Sequence, residues 1–222
     1  VEGLSVSFRR YDDASASFLR APQRDLEVIS DLSLSVHEGE IVAVVGASGS
    51  GKTLLADAVL GLFEPNATVR GRIWFDGEPQ DARSLAALRG GWVALVPQSV
   101  ASLDPLMPVG RQVEGAPRGR GAARRADRAR REARRRELFA RYGLDESVAG
   151  LYPHELSGGQ RQRVLIAMAL TRDPKVIIAD EPTTALDVTV QKQVVDLLNR
   201  LQHELGFAMV FVSHDLALVA EV

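Results

Sequence analysis

The chain has 222 residues, 45% of them hydrophobic, with a formal net charge of −2, enough to bury the core of one α/β domain with a small inserted lobe. Its bulk charge singles out no partner, and the absence of Cys excludes a disulfide framework and a thiolate metal site. No apolar run approaches the roughly 18 residues of a membrane-spanning helix, and the opening residue, Val1, points to a piece of a longer polypeptide.

Leu4, Val6 and Phe8 alternate with polar residues, the period of a half-buried strand, and the polar stretch 9–24 reads as a loop. Leu26, Val28 and Ile29 lead to Leu32, Leu34 and Val36 as a second alternating run. Glu38-Gly39 then turns the chain into Ile41–Val45, an all-apolar run that reads as a buried strand. Two alternating strands ahead of a continuous apolar one predict an antiparallel β layer against a mainly parallel core.

Between that apolar strand and a helix-like run over 54–62 stands Gly46-Ala47-Ser48-Gly49-Ser50-Gly51-Lys52-Thr53. Strand, glycine-rich turn, then a helix carrying Lys and Thr is the order a polyphosphate requires. The glycines let successive N–H groups turn toward one anion, and a helix N-terminus adds roughly half a positive charge. Lys52 can reach the β- and γ-phosphates, and the Thr53 hydroxyl can ligate Mg²⁺. A glycine-rich turn followed by a chance Lys-Thr pair would not arrive with both flanks in place.

Residues 71–76 read as a further strand with Asp76-Gly77 as its turn, and 92–96 as an apolar strand ending at Pro97-Gln98. Chemistry in α/β folds sits at strand ends, which makes Gln98 a candidate for the metal and the attacking water. Ten of the 27 basic residues are arginines within 118–136, which holds only Asp127 and Glu132 of the 29 acids. The stretch is thus strongly basic and the rest of the chain acidic. With Ala and Glu interleaved and Leu138, Phe139, Tyr142 and Leu144 behind, it reads as a helix with a solvated basic face and an apolar end. Nucleic-acid binding is the sharper alternative, but no aromatics interleave with the arginines, and no direct nucleic-acid partner is expected.

Leu156-Ser157-Gly158-Gly159-Gln160 precede a helical run over 161–170. Ser157 can cap that helix while the glycines leave its first N–H groups open to an anion, a second helix start fit for phosphate. The short apolar strand Val176-Ile177-Ile178-Ala179 ends in Asp180-Glu181. An Asp there can hold magnesium through water, and a Glu one residue on can polarise a water nucleophile. Ala185-Leu186-Asp187 precede a helix over 190–205, and a last apolar run over 207–212 ends at Ser213-His214-Asp215. Singly, Gln98, Glu181 and His214 read as surface or structural residues; three polar ends after three apolar strands predict one common edge.

In this order the segments resemble the ATP-binding subunit of an ABC transporter: Walker A (Gly46 to Thr53), Q-loop (Gln98), LSGGQ signature (Leu156 to Gln160), Walker B (Val176 to Glu181), D-loop (Ala185 to Asp187) and switch His214. The resemblance covers nearly the whole chain. Gln98-Ser99-Val100-Ala101-Ser102-Leu103-Asp104-Pro105, Tyr152-Pro153-His154-Glu155 before the signature, Asp180-Glu181-Pro182-Thr183-Thr184-Ala185-Leu186-Asp187 and Ser213-His214-Asp215-Leu216 are similar to the dipeptide, oligopeptide and nickel importer group. That group usually places an acidic residue and Pro after the Gln, where this chain has Ser99 and Val100.

The resemblance implies an α/β P-loop NTPase fold with a mainly parallel sheet, an N-terminal antiparallel β layer and an inserted helical subdomain. A core over about 1–98 and 172–222 would flank helices over about 99–171, with the C-terminal part incomplete. It implies an ATP hydrolase in which Gly46, Ala47, Ser48, Gly49, Ser50, Gly51 and Lys52 hold the phosphates. Thr53 and Gln98 would ligate Mg²⁺ with Asp180 behind them, Glu181 would be the general base, and His214 would stabilise the γ-phosphate. Ser157, Gly158, Gly159 and Gln160 would serve ATP bound in an opposing domain. Phe8 is the expected adenine platform, with Tyr11 second. The implied partners are a second ATP-binding domain (a homologous subunit or a fused half), two integral membrane permease subunits and an extracytoplasmic solute-binding protein. The implied place is peripheral, at the cytoplasmic face of the membrane, with peptides as the solute, or nickel or another small solute on the same engine.

Overall fold

The computed structural model describes residues 1–11, 23–47 and 49–222, the side chains at 10, 11, 23 and 24 excepted. In chain order the elements are β1 (Glu2–Tyr11), β2 (Gln23–Leu32), β3 (Ile41–Val45), α1 (Lys52–Val59), β4 (Ala67–Phe75), β5 (Glu78–Gln80), α2 (Ala82–Leu88), β6 (Val93–Val96), α3 (Val109–Glu114), α4 (Gly121–Arg141), α5 (Gly158–Ala169), β7 (Val176–Asp180), α6 (Val188–Leu205), β8 (Ala208–Ser213) and α7 (Leu216–Val219).

The strands form two sheets. One is antiparallel in the order β2-β1-β4-β5, the other parallel in the order β3-β8-β7-β6. The two-layer expectation therefore holds. The loop expected over 9–24 is shorter at both ends, because β1 runs to Tyr11 and β2 starts at Gln23, the two pairing through Arg9 with Asp25 and Tyr11 with Gln23. Polar side chains do not end a strand whose backbone groups still find partners in the ladder. The β4–β5 hairpin turns on Asp76 and Gly77, at φ 52 and 76, the doubly left-handed pair that favours Asp-Gly.

β3 departs from its expected burial. It is an edge strand of the parallel sheet, and Val45 is 41% exposed. An edge strand has one neighbour, so apolar composition alone overstated how much of it is covered. β8, between two neighbours, is buried along its whole length.

Leu4, Val6 and Ile29 of the antiparallel sheet pack on Leu55 and Ala58 of α1. A larger apolar cluster runs from Val96, Ile177 and Phe211 in the parallel sheet, through Ile166 and Leu198, to Val109, Leu138 and Phe139 of the helical segment. α6 supplies its stripe at helical spacing (Val194, Val195, Leu198, Leu201) after an Asp187 N-cap that accepts from Val190 N at 3.0 Å. The basic helix departs from a simple solvated face: Arg135 is buried. Its guanidinium lies 5.3 Å from the Phe139 ring centroid and pairs with Glu114 and Glu146 at 2.8 Å. Burial is tolerated because all its charge is matched.

Candidate active site

The register of the parallel sheet decides the site. Val45 lies opposite Ser213, Asp180 opposite Val212, and Val96 opposite Ala179, so the C-terminal ends of β3, β8, β7 and β6 stand in a row. From those ends continue the glycine-rich loop, His214, Glu181 and Gln98. Ladder pairing thus brings together segments that the sequence keeps far apart.

The loop after β3 passes into α1 through Gly51, whose φ of 91° belongs to the left-handed region. A Cβ on Gly46 would stand 2.6 Å from Ser50 Oγ, so the Ser50 hydroxyl would have to rotate away to admit one. Ser48 lies outside the described residues. Lys52 begins α1 and is 8% exposed; its Nζ folds back to donate to Gly46 O and Ala47 O, each at 2.8 Å. A buried ammonium resting on two carbonyls at a helix N-terminus is a cation whose present acceptors a phosphate would outbid.

Glu181 is the point of convergence. Its Oε2 accepts from Gln98 Nε2 at 3.0 Å and from Thr184 Oγ1 at 3.0 Å, and faces His214 Nδ1 at 3.2 Å. Its Oε1 lies 3.6 Å from Lys52 Nζ. Burial pushes this carboxyl up, but hydrogen bonds from Thr184 and His214 and the charges of His214 and Lys52 outweigh it and hold it below its ordinary value. Glu181 is therefore a carboxylate at neutral pH. Its backbone sits at φ 43°, a strained setting for a non-glycine, held by the bond from Glu181 N to Val212 O at 2.9 Å.

Asp180 is 4% exposed, and its Oδ1 has no hydrogen-bond partner among the described residues. Burial and the neighbouring Glu181 charge push its carboxyl up, while Thr53 and Lys52 pull it back. No group of three or more His, Cys, Asp or Glu stands ready to hold a metal alone among the described residues. A buried, unpaired carboxylate oxygen near one hydroxyl suits a hard cation shared with phosphate and water, so the residues present fit Mg²⁺.

Ser157 caps α5 in a reciprocal box, accepting from Gln160 N at 3.2 Å while Gln160 Oε1 accepts from Ser157 N at 3.0 Å. These residues form a cleft of about 580 Å³ with Ala185, Leu186 and Asp187. A Cβ on Gly158 would stand 2.9 Å from Leu186 Cδ2, so the bare backbone lets the two segments close on each other. Among the described residues the two helix starts are not joined: no hydrogen bond or ion pair links Ser157, Gly158, Gly159 or Gln160 to the loop of Lys52.

Phe8, the expected adenine platform, is half-buried on β1. Leu4, Val6 and Phe8 share one face of β1, and Phe8 packs into the cluster with Leu55 and Ala58. There it lines a cleft with Leu54, Leu62 and Phe63. The Tyr11 side chain lies outside the described residues. Thr184 was not singled out as a site residue from the sequence, yet it donates to Glu181. Its position three residues after Glu181 in a tight turn is the signal that could have marked it.

The family model described as "ABC transporter" matches residues 29–184. An oligopeptide transport ATP-binding protein of Lactococcus lactis subsp. cremoris is 41% identical over 203 residues, covering 88% of this chain and 59% of its own length. A dipeptide transport ATP-binding protein of Escherichia coli is 41% identical over 230 residues, covering 100% of this chain and 65% of that protein. The chain therefore spans about three fifths of the length of the first and somewhat more of the second. Among solved structures, a dimeric ATP-binding cassette in a post-hydrolysis state, bound to ADP and Pi, matches with a TM-score of 0.74 and 28% identity, over 98% of this chain and 90% of that one.

Proposed function

The chain belongs to the ABC transporter family, and from that premise we propose that it binds and hydrolyses ATP to power a peptide importer. The observation that carries this reading is the meeting of Lys52, Gln98, Thr184 and His214 on the Glu181 carboxylate, at the strand edge where the phosphate-binding loop emerges.

On this reading ATP enters with its β- and γ-phosphates against the loop amides, and Lys52 exchanges its two carbonyl acceptors for phosphate oxygens. Glu181, ionised and held by three neighbours, takes the proton of a water that attacks the γ-phosphorus, giving ADP and inorganic phosphate. His214 turns from Glu181 toward the γ-phosphate and donates a hydrogen bond there. Mg²⁺, when bound, would neutralise phosphate charge, with Thr53 and Gln98 as its protein ligands and Asp180 behind them. Ser157, Gly158, Gly159 and Gln160 serve the ATP of an opposing domain, identical, paralogous or fused; their separation from the Lys52 loop within one chain supports this. A solved ATP-binding cassette among its structural neighbours is a dimer bound to ADP and Pi.

No helix among the described residues is long and apolar enough to cross a membrane. The proposed setting is the cytoplasmic face of the membrane, held there by two permease subunits, with a solute-binding protein outside. Peptides as the solute are supported by the printed names of relatives from Lactococcus lactis and Escherichia coli. Affinity purification of the full-length protein from its native membranes, with partners identified by mass spectrometry, tests the proposal. Two polytopic membrane proteins and a solute-binding protein are expected; recovery with ribosomes or nucleic acid and no membrane protein overturns the transport reading.

A further inference from the structure

α4 divides into halves of unlike chemistry. In its C-terminal half the arginines are engaged in the fold. Arg130 and Arg131 pair with Asp127, Arg134 with Glu137 and Asp173, Arg135 with Glu114 and Glu146, and Arg136 with Glu132 and Glu146. Around the N-terminal half the pattern reverses. Arg111, Arg118, Arg120, Arg124, Arg125 and Arg128 are all exposed, and none has a carboxylate within 4.0 Å among the described residues. Arg124 and Arg128 stand one turn apart on α4, at i, i+4 spacing, with Arg120 at its N-cap.

The pair borders a cavity. Arg111, Arg124 and Arg128 line a cleft of about 400 Å³ where the end of α3 meets the start of α4, with Met107 in its wall. Beside Met107, Leu106 is 86% exposed. The one acid in the cleft wall, Glu114, is already bound to Arg135. The cleft thus combines unpaired guanidiniums with an exposed apolar lip, on a chain whose other residues are acidic in balance. Among the described residues no carboxylate neutralises that charge, which leaves it open to an external anion.

We infer that this face docks on the anionic lipid headgroups of a membrane, with Arg111, Arg124 and Arg128 at lipid phosphates and Leu106 and Met107 entering the interfacial layer. The choice of lipid over other polyanions rests partly on the proposed function at a membrane, and independently on the cleft itself. A single-stranded nucleic acid would call for aromatics on which bases stack, and the cleft wall has none. An apolar lip beside cationic side chains is the pattern of interfacial membrane contact.

The test is flotation of the full-length protein with phosphatidylcholine vesicles, with and without phosphatidylglycerol, with ATP hydrolysis measured in parallel. Wild type is compared with the triple variant Arg111→Gln/Arg124→Gln/Arg128→Gln, with Leu106→Asp, and with Arg70→Gln on the antiparallel sheet as a charge control. Binding is expected only to vesicles containing phosphatidylglycerol. It should weaken on the order of 100-fold in the triple variant, weaken also in Leu106→Asp, and fall with added salt. The control should bind as wild type, and every variant should hydrolyse ATP as wild type does. Equal flotation with neutral vesicles, binding indifferent to the three arginines, or arginine-dependent capture of duplex DNA without vesicle binding overturns the inference. Absence of ATP hydrolysis in the wild type with lipid binding intact instead overturns the proposed function and leaves this contact standing.

Discussion

Gln98 and Glu181 lie 83 residues apart in the chain, yet the Gln98 amide donates to Glu181 Oε2 at 3.0 Å. Each follows the end of a parallel strand, and β6 and β7 are ladder neighbours, so the contact follows from sheet order alone. The base candidate is therefore tied to the segment that leads toward the helical part of the chain. Replacing Gln98 with Ala removes one of three hydrogen-bonding neighbours of the carboxylate. Turnover is expected to fall about 10- to 100-fold with ATP affinity nearly unchanged in the absence of metal. Steady-state phosphate release and equilibrium nucleotide binding measure the two.

Lys52 is the proposed phosphate contact in the same site. Lys52→Ala removes the buried cation that reaches both the loop carbonyls and Glu181. ATP affinity is expected to drop at least about 10-fold, because a charge-assisted contact to phosphate is worth roughly 1.5–3 kcal/mol. Titration calorimetry with ATP checks it.

Arg135 stabilises the helical part. Arg135→Met removes the guanidinium over Phe139 and leaves Glu114 without its cation and Glu146 with Arg136 alone, at a cost of about 2 kcal/mol, less than for a fully buried pair because Glu146 is half exposed. The hydrogen bonds from Arg135 hold the Glu146 carboxyl below its ordinary 4.5. A carboxyl lowered by folding stabilises above its unfolded value and loses that contribution as pH falls. Urea midpoints of the wild type should therefore decline below about pH 4.5, and Arg135→Met should flatten that decline.

Gly110 reports on packing. A Cβ there would stand 2.7 Å from Ala149 O and 3.1 Å from Ala149 Cα, both backbone, which no side-chain rotation relieves. Gly110→Ala should destabilise by about 1–3 kcal/mol, read as a lowered urea midpoint, with the Glu181 site unaltered.

The parts of the site legible in the sequence are those where short-range pattern and chemistry coincide. An apolar run that stops at polar residues marked Gln98, Glu181 and His214 as edge positions, and the ladder puts the ends of β6, β7 and β8 in a row, because strand ends in a parallel sheet share one edge whatever the strand order. Glycine spacing marked the loop before Lys52 for a similar reason. Burial was less legible. β3 has the composition of a central strand, and only the pairing partners reveal that it stands at an edge. Phe8 lies in a strand whose alternation already assigned it to the face of Leu4 and Val6, and that face turns out to meet α1. Arg135 sits in an arginine run where composition cannot separate the buried cation from its solvated neighbours; Glu114 and Glu146 come from other elements.

Glu181 as the base is the central claim, and the most direct measurement is hydrolysis and ATP binding by Glu181→Gln beside the wild type. The amide keeps the size of the side chain and can still meet Gln98, Thr184 and His214, but it cannot take a proton. Turnover should fall by about 10²–10⁴-fold while ATP binds as tightly as before. Hydrolysis at the wild-type rate by Glu181→Gln would contradict the account and require another group to accept the proton of the attacking water.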